Sequence, residues 1–342
     1  MKNIMLHAYC ADNLGDDLFI KYICGRFPNA RFHMQVEGAF ARGLSRIDNL
    51  ILHRSGFFER CLNRITGRWI TRERLAKHCD GLVHIGGSIF IQNEGWRTKY
   101  KQYSRLLRCA GTVYVIGANF GPYYTKDYLD AYRELIAAQL NGICFRDRYS
   151  YGLFSAEKNV SWAPDILFAS DYSSYISEDN RVVLSLMDKG EDYICKMTEI
   201  GDFFSNSGYK VILMSFCSRE GDTKACVEVK RRMSKPCKIY SYDGDVDEAL
   251  SVLGGAKLIV ASRFHSMILG WAMGKKVFPI TYSEKMHHVI EDIYPQCAFC
   301  DIERIQDLTV QEVLAACPAP ENLPELRVSA RNHMTLIRGL VE

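Results

Sequence analysis

The sequence predicts an α/β protein made of two domains, each with a parallel sheet between helices. The chain has 342 residues, enough for two domains at about 100 to 200 residues each. Hydrophobic residues make up 48% of it and charged residues 24%, which suffices for packed cores and excludes a disordered or fibrous protein. Short apolar segments alternate with amphipathic ones along the chain, which is typical of parallel α/β layers.

The first half contains five short apolar segments that we predict to be strands. They are Asn3–His7, Arg31–Val36, Gly81–Ile85, Thr112–Ile116 and Gly142–Phe145. The helices between them are clearest where apolar residues recur at helical spacing. These helices are Tyr100–Cys109 and Lys126–Leu140.

The second half repeats the same alternation of strands and helices. The predicted strands are Arg181–Leu186, Lys210–Ser215, Lys238–Tyr240, Lys257–Ala261 and Lys276–Ile280. The predicted helices are Tyr193–Asn206, Lys224–Met233, Asp245–Leu253, Ser266–Met273 and Glu284–Ile293. Two consecutive α/β runs of similar length favour two domains of the same class.

A polar segment without periodicity, 170–180, separates the two halves and is typical of a linker. We therefore predict an N-terminal α/β domain over 1–172 and a C-terminal α/β domain over 180–320. Both are expected to be Rossmann-like, with the carboxyl ends of their parallel sheets facing a cleft, where open sheets of this kind bind ligands.

The end of the chain is predicted to form one more helix. Three prolines stop the preceding helix and introduce the last one: Pro318, Pro320 and Pro324. The helix is expected over Glu325–Leu340, and the segment 324–342 is expected to cross back to the N-terminal domain.

Charge and hydropathy favour a soluble, cytoplasmic protein. The formal net charge of +3 is too small to indicate nucleic-acid binding. No apolar run approaches the roughly 18 to 20 residues that span a bilayer. The first residues, Met1–His7, are too short and too soon polar for a secretory signal. The 13 cysteines are interpreted as reduced thiols.

The segment 53–77 is strongly basic, with seven Lys and Arg against two Glu, a local net charge of +5. Four large apolar residues recur in it at helical spacing: Phe58, Leu62, Ile65 and Trp69. One interpretation is that 57–77 docks peripherally on an anionic membrane, placing the protein at the inner face. The alternative is a solvated helix packed on the first domain, and Gly67 argues against one long helix.

Candidate ligand groups follow the predicted strands, because parallel sheets bind ligands at the carboxyl ends of their strands. After the first strand, Asn13 and Asp16 flank Gly15. Their side chains either cap the helix that follows or contact a ligand.

Glycines follow the third and fourth strands. Gly86 and Gly87 let the backbone approach a ligand and present N–H groups to an anion. Asn119 lies between Gly117 and Gly121 after the next strand. Neither segment is a G-x-G-x-x-G fingerprint of dinucleotide binding, and either can be an ordinary turn.

The exit of the fifth strand carries Arg146, whose guanidinium fork suits a carboxylate or a phosphate. The alternative is a surface pair with the adjacent Asp147, which would contribute little. Asp165 adds a carboxylate after Pro164.

The most informative segment is the strand exit that contains Ser262, Arg263 and His265. The helix that follows offers unpaired N–H groups and the positive end of its dipole. Arg263 adds a fixed fork and His265 a titratable imidazole, which together predict an anion site with a proton donor. Lys285, after the next strand, adds a further cation.

These segments, in this order, resemble the polysaccharide pyruvyl transferase family. The matching motifs are Asn13-x-Gly15-Asp16, Gly86-Gly87, Gly117-x-x-x-Gly121-Pro122, Arg146-Asp147-x-x-Ser150, Pro164-Asp165, Ser262-Arg263-x-His265 and Tyr282-x-x-Lys285. One departure is Ser88, where many relatives carry a third glycine.

The resemblance implies a two-domain, GT-B-like fold with the active site in the interdomain cleft. It implies transfer of pyruvate from phosphoenolpyruvate to two hydroxyls of one sugar as a cyclic ketal, with release of phosphate, as in the synthesis of surface polysaccharides. The N-terminal domain is then expected to bind the acceptor and the C-terminal domain the donor. The family associates its Arg-x-His element, here Arg263 and His265, with donor binding and catalysis, and Arg146 is mapped to the same site.

The residue types suit this chemistry. Phosphoenolpyruvate carries close to three negative charges, and Arg263, Arg146 and Lys285 are cations that can bind it. His265 is the predicted catalytic acid. The candidates for the base are Asp16, Asp165 and His84. The remaining predicted contacts are Ser262, Asn13, Gly86, Gly87 and Asn119. We expect no cofactor and no metal.

Two other functions remain open from the sequence. One is a GT-B-type glycosyltransferase that uses a nucleotide sugar, since a helix N-terminus binds a diphosphate equally well. The other is a non-catalytic carbohydrate-binding protein. The expected partner is a sugar acceptor, which is lipid-linked in one variant of the prediction. No nucleic-acid partner is expected.

Overall fold

The computed structural model describes residues 1–36, 41–177 and 179–342. Within these residues the chain forms two compact α/β units. Unit 1 consists of Met1–Cys10, Phe19–Ile166 and Val328–Glu342; unit 2 consists of Ala11–Leu18 and Leu167–Arg327. The predicted linker 170–180 belongs to unit 2 apart from Glu178, which lies outside the described residues. The domain roles and the cleft stay predictions.

Unit 1 contains, within the described part of the chain, a seven-stranded parallel sheet of order β3-β2-β1-β4-β5-β6-β7. Its strands are β1 Asn3–Ala8, β2 Arg31–Val36, β3 Leu50–Arg54, β4 Gly81–Ile85, β5 Val113–Ala118, β6 Gly142–Phe145 and β7 Val160–Trp162. The carboxyl ends of all seven strands therefore lie along one edge of the sheet.

Unit 2 contains a six-stranded parallel sheet of order β10-β9-β8-β11-β12-β13, again counted over the described residues. Its strands are β8 Arg181–Ser185, β9 Lys210–Ser215, β10 Lys238–Ser241, β11 Ala256–Ala261, β12 Lys276–Thr281 and β13 Cys300–Asp301. The predicted α/β class with two parallel sheets is confirmed.

Helices connect most successive strands, as is usual for parallel pairing. They are α1 Leu14–Arg26, α2 Phe57–Thr66, α3 Ile70–His78, α4 Trp96–Cys109, α5 Lys126–Gln139, α6 Arg148–Phe154, α7 Glu191–Asn206, α8 Asp222–Arg232, α9 Val246–Gly254, α10 Phe264–Ala272, α11 Glu284–Ile293, α12 Val310–Leu314, α13 Leu323–Ala330 and α14 Asn332–Val341. Among the described residues, no helix is both long enough and apolar enough to cross a bilayer.

Each unit has its own apolar core. In unit 1, Leu106 and Ile136 pack on Val115 of the sheet, and all three side chains are excluded from solvent. In unit 2, Ile200 of α7 packs in the same way on the strands around Leu213. The 13 cysteines are free thiols, as the composition predicts.

The strands that the sequence analysis missed are β3, β7 and β13, each at an edge of its sheet. An edge strand is covered by neighbours on fewer sides, so its sequence is less apolar than that of a central strand. β13 has two residues, and β7 has three half-buried ones. The central strands, by contrast, lie close to their predicted bounds.

The last predicted helix, Glu325–Leu340, is wrong as a single element, because the structure breaks it at Arg331 into α13 and α14. At the break, the Arg331 N–H donates to the Val328 carbonyl three residues earlier, which tightens the turn. Helix α14 packs on unit 1: a Cβ added to Gly81 would lie 2.6 Å from a methyl of Leu340.

Candidate functional site

The turn from β11 to α10 in unit 2 carries Ser262, Arg263 and His265, on the predicted strand exit. Ser262 is fully buried and accepts a hydrogen bond from the Tyr193 hydroxyl at 2.7 Å. Its N–H donates to the Ser185 carbonyl at 3.2 Å. These two hydrogen bonds attach Ser262 to the core of unit 2 and hold the turn in place.

Arg263 is clamped by two carboxylates of the same unit. Its Nε donates to Asp222 Oδ2 at 3.0 Å, and its two terminal nitrogens pair with Asp222 Oδ1 and with Glu220. Asp222 also accepts the N–H groups of Phe216 and Cys217, at 3.1 and 3.0 Å. The Arg263 guanidinium was predicted to bind an anion. One of its two edges is occupied by the buried carboxylate of Asp222.

The two carboxylates differ in exposure. The Asp222 side chain is fully buried, whereas that of Glu220 is 40% exposed. Burial raises the pKa of Asp222, and the Arg263 guanidinium opposes that rise. Burial also works against the charged form of Arg263, but its hydrogen bonds to the two carboxylates raise its pKa overall. Arg263 stays charged, and only its pair with Glu220 borders on solvent.

His265 lies directly against the first turn of α1, in the Ala11–Leu18 segment of unit 2. A Cβ added to Gly15 would come within 1.8 Å of His265 Nδ1, so only glycine leaves room for the ring. The Gly15 N–H donates to Asn13 Oδ1 at 3.0 Å, the geometry of a helix N-cap. The capping interpretation of Asn13 thus agrees with the structure.

A buried carboxyl that the sequence analysis did not select, Asp17, follows on the same turn. It is 1% exposed, and the Tyr242 hydroxyl donates to its Oδ2 at 2.7 Å. Burial, partly offset by this hydrogen bond, raises the pKa of Asp17 to about 7. Its spacing from Leu14 and Leu18 on the buried face of α1 is the signal that could have found it. The selected neighbour, Asp16, is half-buried.

Two lysines lie close to the Tyr282 ring, and one of them, Lys285, also lies close to Phe264 at the start of α10. Lys285 Nζ lies 5.7 Å from the Phe264 ring and 5.4 Å from the Tyr282 ring. Lys189 Nζ lies 5.1 Å from the same Tyr282 ring. The predicted Lys285 is thus near the turn, and Lys189, which was not a candidate from the sequence, lies at the same Tyr282 ring as Lys285.

In unit 1, three predicted residues come together at the carboxyl ends of the strands, Arg146, Asp165 and Asn119. One terminal nitrogen of Arg146 donates to Asp165 Oδ2 at 3.1 Å, and the other donates to Asn119 Oδ1 at 2.8 Å. Arg146 and Asp165 are 2% and 0% exposed, so the alternative of a surface pair is wrong. Asp147 instead caps α6 by accepting the Ser150 N–H at 2.7 Å.

The paired glycines make room for this guanidinium. A Cβ added to Gly87 would lie 2.4 Å from Arg146 Nη2. Gly86 has a φ of +152°, which a side chain rarely permits. The Asn119 N–H donates to the Gly87 carbonyl at 2.9 Å, which joins the two glycine-containing loops.

His333 of α14, another residue that the sequence analysis missed, lies against the same motif. It is fully buried, and its Nε2 lies 3.0 Å from the Pro164 carbonyl oxygen. Burial lowers the pKa of His333 to about 4. The imidazole is therefore neutral and holds the backbone next to Asp165.

A second polar cluster in unit 1 joins the ends of β1, β2 and β4. The rings of His7 and His84 are 4.4 Å apart, and the Tyr103 hydroxyl lies 2.7 Å from His84 Nδ1. Burial, with a smaller effect of the charge of Arg72, lowers the pKa of His84 to about 3. The Trp69 ring lies 5.7 Å from that of His7.

Arg72 completes this cluster. Its guanidinium lies 4.9 Å from the centre of the Trp69 ring, and its Nε donates to Gln35 Oε1 at 2.8 Å. An aromatic face beside neutral imidazoles and a cation suits a ligand with many hydroxyls. Of this cluster, only His84 was a candidate catalytic residue from the sequence. Over the described residues, no three His, Cys, Asp or Glu side chains are grouped to hold a metal ion.

The chain matches one known family over most of its length. The family model for polysaccharide pyruvyl transferases matches residues 13–284, most of the chain.

The chain belongs to the polysaccharide pyruvyl transferase family.

The matched range runs from Asn13 through both arginine clusters and ends one residue before Lys285. The resemblance drawn from the motifs is confirmed. Membership makes the chain one of a family of transferases.

Several solved structures have the same fold as this chain. HepE from Anabaena, in complex with UDP and glucose, gives a TM-score of 0.59 at 11% identity, covering 99% of this chain and 98% of that one. MnaA from S. aureus, in complex with UDP, gives 0.61 at 10% identity, covering 97% and 92%. MurG from Acinetobacter baumannii gives 0.54 at 10% identity, covering 99% and 100%. The GT-B-like fold is confirmed.

Proposed function

We propose that this protein moves the pyruvyl group of phosphoenolpyruvate to two hydroxyls of one sugar, forming a cyclic ketal and releasing phosphate. The observation that carries the proposal is the β11–α10 turn of unit 2, where His265, a guanidinium and a helix N-terminus occur together. Lys285 lies beside the turn, and Lys189 lies at the Tyr282 ring that Lys285 also approaches. A small, highly charged anion that must also be protonated needs such a combination.

Donor binding is assigned to unit 2. The lysines and the backbone N–H groups at the start of α10 supply positive potential for the phosphate. Arg263 binds the donor carboxylate through the nitrogen that now pairs with Glu220. Glu220 is the exposed partner of the pair, so a substrate carboxylate can replace it while Asp222 keeps the guanidinium in position.

The reaction needs one acid and one base. His265 donates a proton to the methylene carbon of the enol, while the first sugar hydroxyl adds to the neighbouring carbon and loses its own proton to the base. Phosphate then leaves with the electrons of its C–O bond, the second hydroxyl attacks the oxocarbenium carbon, and its proton is released. The products are the ketal and phosphate.

Asp16 is the proposed base among the three candidates. Asp165 is fully buried and hydrogen-bonded to Arg146. The pKa of His84, about 3, makes its imidazole a poor proton acceptor at neutral pH. Asp16 is half-buried and adjoins Gly15, on which the His265 ring lies.

Acceptor binding is assigned to unit 1. Its support is the cluster of Trp69, His7, His84 and Arg72, which offers a ring face and hydrogen-bonding groups of both kinds. Arg146 joins the two loops of unit 1 that contain Gly87 and Asn119. Lipid-linked, nucleotide-linked and polymeric sugars all present the required pair of hydroxyls.

The deciding experiment incubates the purified protein with phosphoenolpyruvate and a panel of hexose acceptors. We expect phosphate release together with an acceptor mass gain of one pyruvyl ketal. His265→Asn should reduce turnover by about a thousandfold. His78→Asn, an exposed histidine on α3, is the matched control and should leave turnover unchanged. Turnover only with a nucleotide sugar, or phosphate release without acceptor modification, would contradict the proposal.

A further inference from the structure

Helix α2 of unit 1 has its polar side toward the protein and its apolar side toward solvent. None of its residues is buried. A surface helix of a globular protein ordinarily does the reverse, because burying the apolar stripe is what stabilises it. The reversal calls for a physical reason.

The polar side of α2 is bound to the rest of unit 1. Asn63 Oδ1 accepts the Ile70 N–H at 3.0 Å. Glu59 accepts the Thr71 hydroxyl at 2.9 Å and forms an ion pair with Arg74 at 3.1 Å. These contacts fix the helix by its hydrophilic residues.

The apolar side faces outward. Phe57, Phe58, Leu62 and Ile65 are 68%, 81%, 47% and 81% exposed. At 100° per residue, these four side chains cover an arc of about 140° on the helix. Four neighbouring large apolar side chains at this exposure form a patch of the kind that marks an interaction surface.

The connection to α3 holds this surface in a defined orientation. Gly67 ends α2 with a φ of +60°, the left-handed conformation that glycine adopts readily. Gln102 Nε2 of α4 donates to the Gly67 carbonyl at 2.8 Å. The expectation that Gly67 divides the segment is confirmed, and α2 and α3 form a fixed helical hairpin.

Exposed arginines flank the apolar arc. Arg60 and Arg64 lie one turn apart on α2, next to Phe57 on the helical wheel, and Arg54 is exposed just before the helix. The acidic residue of α2, Glu59, lies on the opposite side, bound to the protein. The segment 53–77 carries a net charge of +5 in a chain whose total is +3.

We propose that α2 docks this protein on an anionic lipid surface. Phe57, Phe58, Leu62 and Ile65 enter the headgroup region, while Arg60 and Arg64 contact lipid phosphates. A second copy of the chain fits less well, because a two-fold contact through this face would bring the arginines of both helices together.

Vesicle flotation tests the proposal without any donor or acceptor sugar. The purified protein is mixed with phosphatidylcholine vesicles, with or without one third phosphatidylglycerol, at low and high salt. We expect binding to the anionic vesicles, weakened by salt. Arg60→Gln with Arg64→Gln should lower the partition coefficient about fivefold per arginine. Phe58→Ser with Ile65→Ser should lower it about tenfold or more on both compositions.

Helix α8 of unit 2 provides the matched control. Val227 is 54% exposed and Lys230 is exposed, so Val227→Ser with Lys230→Gln removes one apolar and one basic side chain from another surface. This control should bind like the wild type, and all variants should keep the thermal midpoint of the wild type. Equal binding of every variant would overturn the proposal. The proposal would also be overturned if the protein did not bind vesicles and instead formed a dimer that Phe58→Ser dissociates.

Discussion

Each unit places one buried arginine just after a strand, and the partners of the two arginines differ. Arg146 in unit 1 is held by Asp165 and Asn119, all at most 4% exposed. Arg263 in unit 2 is held by the buried Asp222 and by Glu220, which is 40% exposed. The first arrangement is closed, whereas the second has a partner that solvent already reaches.

The difference separates two uses of the same side chain. A guanidinium whose partners are all buried joins loops, and it exchanges a partner only at a high desolvation cost. A guanidinium with one exposed carboxylate can exchange it for a substrate carboxylate of the same geometry. We therefore expect Arg146 to organise unit 1 and Arg263 to contact the donor. Two predictions test this contrast directly, and two others concern Gly15 and Asp17 in the Ala11–Leu18 segment of unit 2.

The buried carboxylates should have the largest effect. Asp165→Asn and Asp222→Asn each remove the charge that compensates a buried guanidinium, and should lower the free energy of unfolding by about 3 to 5 kcal/mol. Glu220→Gln, at an exposed side chain, should cost less than about 1 kcal/mol. Urea unfolding followed by circular dichroism measures all three. If Asp222→Asn were as stable as Glu220→Gln, the contrast between the two partners would fail.

Gly15→Ala should reduce turnover about a hundredfold, because the new Cβ would displace the His265 ring. Gly25→Ala is the control in the same helix: nothing lies within 4 Å of its Cβ position, so it should stabilise the protein by about 0.5 to 1 kcal/mol. Phosphate release and thermal unfolding distinguish the two. A fully active Gly15→Ala would show that the position of this ring does not matter.

Asp17→Asn should change the pH dependence of stability. The unfolded chain releases the Asp17 proton near pH 3.8, whereas the folded chain, with a pKa of about 7, keeps it. The free energy of unfolding therefore falls as pH rises between these values. The variant lacks this loss, and should gain about 2 to 3 kcal/mol on the wild type between pH 5 and pH 8.

Unfolding curves at several pH values measure this gain. Asp192→Asn, an exposed carboxylate in the first turn of α7, should follow the wild type throughout. An Asp17→Asn curve parallel to that of the wild type would mean that Asp17 is charged at neutral pH.

The smallest effects concern donor affinity. Arg263→Lys should weaken phosphoenolpyruvate binding about tenfold, since an ammonium cannot reproduce a bidentate fork. Glu220→Gln should strengthen binding about three- to tenfold by removing the competing carboxylate. Calorimetric titration gives both numbers. Unchanged affinity in both variants would show that Arg263 does not contact the donor and that, like Arg146, it only forms an internal ion pair.

The sequence predicted what depends on local pattern. Central strands such as β6 and β9 are apolar because neighbours cover both faces, so their bounds match the predictions. The ordered motifs around Arg146, Asp165, Arg263 and His265 predicted the family, and the family match confirms that prediction.

What the sequence did not predict depends on contacts far apart in the chain. The partners of Arg263 come from a loop and helix about 40 residues earlier, and no local pattern pairs them. Trp69 was interpreted only as part of an apolar stripe, although its ring lies beside His7. Burial, which sets the pKa of Asp17 and of His84, is likewise a property of the folded chain.

The packing of α14 on unit 1 affects the order in which the chain can fold during synthesis. Leu340 covers Gly81 at the start of β4, and His333 supports the Pro164 backbone. The ribosome releases these residues only after all of unit 2 has been made. Unit 2 can therefore fold first, while the part of the unit 1 sheet that α14 covers stays exposed until α14 has been synthesised. During that interval it is the N-terminal half, although older, that needs protection from aggregation.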